Sequence, residues 1–499
     1  MSLQNDKLLR LASAVRSCLG DYPFYVVWST LYWLWTGLVF QGPAFYSNKV
    51  PPLLPTVPSW WVPMIFYALS YVIIGVGYAR AIPIAAKKGW PVALAAAMGG
   101  GAAACVLWMN ADTQSLATSA FLYYGGSFGV SFGAAGFLSL LSRFNGYVGP
   151  YLTLVCGAVS LVCAAAIMLG LSFLPQAVCH GLLVVLPWVL VPCVRKLVRL
   201  VPRRVLFRTS REKDALPKKL LATSALHGLP FGFSLMLLSS GRTDAQVLLF
   251  NAVCFACGAF ALLSLMGMRR LDFNRLIYVF GFPLMGTGLA CIAVLPGGPD
   301  IGCAVLTVGY AFVHVTMCGV NAYLGKQFGV PMPWILSVTT CCFMGGQAVG
   351  VLLGTVSTLA DAPVQPPAVA VVVLMVCMFA SVLLVDNRNM QYGWGVVDPS
   401  SVAAAPSPAE QGRALLAKTH GLTEREADVL ALLAAGRSRR HIGQALCIGE
   451  ETVKSHVKSI YTKLDVHSKE ELISAVEKCS AAVDEPATAW EWDEKAGGQ

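Results

Sequence analysis

Two groups of residues in this chain have types and spacings that can do chemistry. In the first, Lys454, Ser455, Lys458 and Thr462 share one face of a stretch whose other face is Val453, Val457, Ile460 and Leu464, spaced i, i+4, i+7 and i+11. That spacing predicts a helix with one apolar stripe, which must pack on something. The polar face offers donors and no carboxylate, which suits the base edges and phosphates of a major groove. In the second group, Tyr310, His314 and Asn321 fall at i, i+4 and i+11 of one apolar run, with Trp28, Tyr32 and Gln347 in others. Such groups can hold a small, uncharged or aromatic ligand by stacking and hydrogen bonding. The plainer alternative is that each, like His180 and His227, bonds a neighbouring helix.

Other chemistry is excluded by what the spacing lacks. No histidine has a carboxylate or nucleophile partner at useful spacing, so the chain does not read as an enzyme. Cys254-Phe-Ala-Cys257 and the vicinal pair Cys341-Cys342 have no further Cys or His nearby to complete four ligands, so no metal and no cofactor is expected. Nearly all of the 16 cysteines sit in apolar runs and read as small packing residues.

The elements that position these residues follow from composition. Only 12% of the 499 residues are charged and 56% are hydrophobic, which makes this an all-α polytopic membrane protein. After a lead-in (1–22) with no signal-peptide signature, about twelve runs long enough to cross a bilayer follow. Their spans are 23–42, 60–79, 91–110, 116–141, 148–172, 176–196, 220–240, 245–268, 276–295, 301–324, 334–358 and 367–386. A basic segment (195–219) divides this membrane domain (23–386) into halves 23–196 and 220–386. Lys and Arg concentrate in one alternate set of loops, leaving Lys49 and Arg242 in the other. By the positive-inside rule both termini are then cytosolic. Gly125, Gly129 and Gly133, and Gly346, Gly350 and Gly354, repeat at i+4 and permit close helix contact.

A linker (387–413) of small residues and prolines leads to a domain over 414–480, and a polar, acidic tail (481–499) reads as disordered. Thr423-Glu-Arg-Glu426 and Ser468-Lys-Glu-Glu471 are capping boxes, and Ser438 can cap a helix between them. Four short helices result, with the donor-faced helix third and a helix-turn-helix at positions two and three.

These residues carry a resemblance. Leu422-Thr-Glu-Arg-Glu426, Gly436-x-Ser438, Thr452-Val-Lys-Ser-His456 and Ile460-x-x-Lys463-Leu464-x-Val466 resemble the signature of LuxR-type (FixJ/NarL-like) DNA-binding domains. The resemblance implies that the third helix enters the major groove, with Lys454, Ser455 and Lys458 at base edges. It places Thr452, His456, Lys463, Arg439 and Arg440 near phosphates, and it makes Leu472, Val476 and Cys479 the seam of a homodimer. Where the family usually has Asn-Lys-Glu-Ile-Ala, this chain has Arg439-Arg-His-Ile-Gly443, and a common Ser cap before the third helix is Gly449.

The six-plus-six arrangement with a basic central loop resembles the major facilitator fold, which implies two bundles around a midplane cavity. Every Asp and Glu before Asn387 lies in a loop or at a span end, which disfavours proton-coupled transport. The whole resembles membrane-bound LuxR-type regulators of bacteria with transporter-like sensor domains. That implies a protein of the bacterial cytoplasmic membrane, surrounded by lipid, with promoter DNA and an unidentified small molecule as partners. The competing expectation is a small-molecule transporter carrying a regulatory DNA-binding domain.

Overall fold

The computed structural model describes residues 2–41, 45–46, 49–85, 89–111, 115–201, 216, 218–268, 271–273, 275–327, 330–359, 364–384, 396–397, 413, 416–417, 419–434, 438–446 and 448–484. They form two compact units, the second built mainly of Ala403–Thr488. Most of the basic loop, most of the linker and the tail beyond 484 lie outside the described residues, as do Gly436 and Cys447.

The first unit opens with α1 (Ser2–Asp21) and continues through α2 (Pro23–Phe40), α3 (Trp61–Ala85), α4 (Trp90–Asn110), α5 (Leu116–Val148), α6 (Pro150–Leu171) and α7 (Gln176–Leu200). A second set follows: α8 (Lys218–Ser239), α9 (Asp244–Met268), α10 (Arg275–Val294), α11 (Gly298–Gln327), α12 (Met332–Thr358) and α13 (Pro366–Leu384). Each of α2–α13 coincides with one expected span. Ten of them are both long and apolar enough to cross a membrane, and α2 and the Trp61–Gly77 part of α3 are shorter or less apolar. The protein is a multi-pass membrane protein with an all-α fold.

Pairing within and between the halves sets up a central space. α2 packs on α6 and α8 on α12 within their halves, while α3 meets α12 and α6 meets α9 across them. Water gives no hydrophobic drive to helix pairing inside lipid, so the tightest contacts use glycine. A Cβ at Gly228 or Gly232 would fall on the backbone oxygen of Phe343 or Gln347, and one at Gly346 or Gly350 on that of Ala225 or Leu229. α8 and α12 therefore touch backbone to backbone. In α5, Gly129 and Gly133 press on α4, with a Cβ meeting Ala97 O at 2.8 Å and Met98 Cβ at 2.6 Å, whereas Gly125 meets nothing. Outward faces are apolar, as on α13, where Val372, Met375, Phe379 and Val382 are exposed in a form suited to hydrocarbon.

Two features differ from the sequence reading. Cys18 and Cys156 form a disulfide that ties α1 to α6, across a sequence separation of 138 residues, so these two are not packing residues alone. Within the expected linker, Val396–Val397 pairs antiparallel with Leu271–Asp272 in the α9–α10 connection, so main-chain hydrogen bonds anchor that part of the segment.

The second unit holds α14 (Glu424–Ala434), α15 (Arg439–Leu446), α16 (Glu450–Leu464) and α17 (Lys469–Asp484). Local sequence explains each start. Thr423 and Glu426 exchange bonds (Glu426 N to Thr423 Oγ1 3.3 Å, Thr423 N to Glu426 Oε2 2.8 Å). Ser438 Oγ accepts from His441 N at 3.3 Å, and Ser468 Oγ from Glu471 N at 3.1 Å. Gly449 starts α16 without a side-chain cap, and Asp465 ends it in the left-handed region at φ 51°. Val429, Leu430, Ile442, Val453, Val457, Ile460, Leu464 and Leu472 close a core of the unit's own.

Candidate nucleic-acid interface and membrane cavity

α16 presents the two faces expected of it. Val453, Val457, Ile460 and Leu464 are buried, and Lys454, Ser455 and Lys458 are exposed beside Thr452. Lys454 stands over the first turn of its helix, 3.5 Å from Glu451 Oε2, with most of its side chain in solvent. Arg439 and Arg440 are exposed on α15, His441 beside them is exposed, and His456 is half-buried. Thr462 turns back on its own helix, its Oγ1 donating to Lys458 O at 3.0 Å.

Lys463, expected near phosphate, makes contacts within the unit. Its ammonium donates to Glu426 Oε2 at 2.7 Å and to Gly421 O at 3.2 Å, and Ser459 Oγ donates to Glu426 Oε1 at 2.6 Å. Together with Thr423 N, the carboxylate accepts three hydrogen bonds. The Lys463 and Ser459 bonds, in that order, and the Thr423 amide hold the Glu426 carboxyl down at about 2, well below its ordinary value. The Lys463 ion pair thus joins α16 to α14.

Of the residues expected at a dimer seam, Leu472 and Val476 are buried in the unit's own core and Cys479 is partly buried against it.

In the membrane unit, all six expected pocket residues, Trp28, Tyr32, Tyr310, His314, Asn321 and Gln347, line one cavity of about 110 Å³. Both halves contribute, through α2 and α3 on one side and α8, α11 and α12 on the other. Trp28 stacks on Tyr32 with ring centroids 4.8 Å apart. Tyr32 Oη lies 2.6 Å from Tyr67 Oη, which lies 3.1 Å from Tyr71 Oη. On the far side, Tyr310 stacks on Phe231 at 3.5 Å and on His227 at 5.0 Å, and Phe343 flanks His227 at 4.8 Å and His314 at 5.0 Å.

His227 therefore belongs to the site. Gln41, Tyr67, Thr339 and Phe343 also line it and carried no sequence signal, Gln41 because it stands at the end of its apolar run and the others because an aromatic or hydroxyl in such a run looks like ordinary packing. His180 lies elsewhere, bonded to Phe45 O at 3.0 Å, as the plainer alternative has it.

The cavity's lining includes no Asp, Glu, Lys or Arg. Its distinguishing property is unmet hydrogen-bonding capacity. Trp28 Nε1, Gln41 Oε1, His227 Nε2, His314 Nδ1, Asn321 Oδ1 and Gln347 Oε1 are buried without a protein partner. A buried polar atom left unpaired costs about 1–3 kcal/mol, and all six belong to residues that line this one cavity. Among the described residues no group of His, Cys, Asp and Glu is arranged to hold a metal ion.

Comparison with known proteins bears on both units. Residues 420–476 match the family model of bacterial regulatory proteins, luxR family. The chain is 46% identical over 54 residues to the transcriptional regulatory protein DegU of Brevibacillus brevis, covering 11% of this chain and 23% of that protein. It is 44% identical over 61 residues to a nitrate/nitrite response regulator protein homolog of Haemophilus influenzae, covering 11% and 29%. The chain thus spans about a quarter of the length of the curated relatives it matches. The membrane unit is similar in fold to a Major Facilitator Superfamily transporter, FucP, in the outward conformation (14% identity, TM-score 0.46, 73% of this chain and 99% of that one). It is also similar to a bacterial homologue of the iron transporter ferroportin in the outward-facing state (13% identity, TM-score 0.49, 76% and 98%).

Proposed function

We propose that this protein, a LuxR-type helix-turn-helix domain joined to a polytopic membrane domain, is a one-component transcription regulator that senses a small molecule in its membrane cavity and binds promoter DNA through α16. It works as a homodimer of the DNA-binding domain in the bacterial cytoplasmic membrane, with both termini cytosolic. Lys454, Ser455 and Lys458 read base edges, and Thr452, His456, Arg439 and Arg440 contact phosphate. The observation that carries the sensing role is the ring of unpaired, buried polar atoms supplied by both halves.

A ligand that bonds both halves favours whichever arrangement of them lets it do so, and only that difference in affinity can send a signal. The stretch between Leu384 and Glu424 is too short to hold an α/β receiver domain, which supports a direct link from the membrane domain to α14. The decisive experiment couples the two ends: a reporter driven by DNA upstream of the gene, read with and without candidate small molecules, in cells carrying the full chain or one lacking 414–480. Reporter output that ignores that deletion would sink the proposal. The cavity's contact with both halves equally favours a transporter with an attached regulatory domain, and solute uptake by reconstituted proteoliposomes separates the two readings.

A further inference from the structure

We infer that the cavity takes a small neutral molecule with a flat face and at least two N–H or O–H donors. This rests on the reading of the cavity as a sensing site and names the chemistry it senses.

Neutrality follows from the lining, which offers no charge to pair with an ionised ligand. An unpaired ion in such a place would be strongly disfavoured. The demand for donors follows from the amide groups, whose orientation the structure fixes. Gln347 Nε2 donates to Phe40 O at 3.4 Å, and because a carbonyl only accepts, the amide nitrogen belongs there and Oε1 is left buried without a partner on a residue that lines the cavity. Thr339 Oγ1 gives its proton to Ile335 O at 2.8 Å, so it can only accept from Asn321 Nδ2 at 3.1 Å, which leaves Asn321 Oδ1 unpaired. Two amide oxygens of fixed orientation stand against one open donor, Trp28 Nε1, so the occupant must bring protons. The flat face follows from the walls: Phe343 and Tyr310 stand on one side, with Trp28 stacked on Tyr32 on the other.

The test uses the full chain in detergent with matched small probes, read by thermal unfolding and by quenching of tryptophan fluorescence. Uracil is compared with 1,3-dimethyluracil and benzamide with N,N-dimethylbenzamide, pairs in which methylation removes the donors. Benzoate and benzylamine supply charge, and glucose supplies donors without a flat π face. The expected result is that the unmethylated member of each flat pair binds at least about 10-fold more tightly, a tenfold change in the binding constant, and that Gln347→Leu erases the difference. Gln347→Glu keeps the acceptor and adds a charge, so benzylamine should gain about 10-fold on it. Equal binding of methylated and unmethylated probes would overturn the inference, as would preference for a charged probe, binding of glucose alone, or no binding by any probe at millimolar concentration, the last meaning that water alone fills the cavity. Promoter binding by the same preparation keeps the two readings apart: its loss counts against the regulator, and its persistence beside a failed probe set counts against the ligand class alone.

Discussion

Lys463 Nζ lies 2.7 Å from Glu426 Oε2, and that one contact joins the last turn of α16 to the first turn of α14. Glu426 is buried and its carboxylate also serves the cap of its own helix, so one group ties α14 to α16.

This carboxyl makes the domain's stability depend on pH in a defined window. Its folded value of about 2 lies below its ordinary value of 4.5, so between the two the unfolded chain binds more protons and stability rises with pH. The contribution is fully present above the ordinary value and is lost as pH falls from there towards 2. Urea unfolding of residues 414–480 at a series of pH values should show that slope, and Glu426→Gln should flatten it while costing about 2 kcal/mol at neutral pH. A wild-type slope retained in Glu426→Gln would assign it to other groups.

Lys454 and Lys458 should differ from Lys463 in what their loss affects. Replacing either exposed lysine by alanine should weaken specific DNA binding by about 1–3 kcal/mol and leave unfolding unchanged. Lys463→Ala should instead lower stability, because its ammonium is committed to Glu426. Gel shifts across a salt series, run beside urea titrations of the same three variants, check the division. Equal stability loss in all three would contradict it.

Asp465 holds a left-handed backbone at φ 51°, where its amide bonds to Thr462 O and Tyr461 O. Glycine adopts that region without the Cβ penalty, so Asp465→Gly should stabilise the domain by about 0.5–1 kcal/mol. The midpoint of unfolding reads this directly, and a lower midpoint would mean that the Asp side chain contributes more than the backbone loses.

How much of this was legible beforehand depended on the range of each interaction. Spans and caps are local: an apolar run long enough to cross, or Thr423 three residues before Glu426, states its own structure. The pocket was legible for a related reason, since His314, Asn321 and Gln347 are costly in an apolar run and need a cause. Pairings between distant elements were not. Ser459 and Lys463 share a face of α16, but nothing in their spacing names Glu426, 37 residues earlier, as the group they meet. The Cys18–Cys156 bond is hidden for the same reason. Leu472 and Val476 show the limit of periodicity, which says that a stripe is covered but not whether its own domain or a second copy covers it.

The α8–α12 contact should tolerate no side chain, and that intolerance should reach the cavity. A Cβ at Gly232 would coincide with Gln347 O, so Gly232→Ala must drive the two helices apart, whereas Gly125→Ala enters open space. Overpacking of a close contact costs about 1–3 kcal/mol, while the second change should be close to neutral or slightly stabilising within its helix. Gln347 stands at that contact and its side chain bonds Phe40 O across the boundary between the halves. Separation of α8 and α12 by even part of an ångström therefore displaces an acceptor of the cavity as well as loosening the bundle. Thermal unfolding of the full chain in detergent should fall for Gly232→Ala and not for Gly125→Ala, and a reporter responding to ligand should lose response in the first variant alone. If both variants unfold and respond like the wild type, α8 and α12 are not in backbone contact, and the rigid wall that Gln347 is mounted on does not exist.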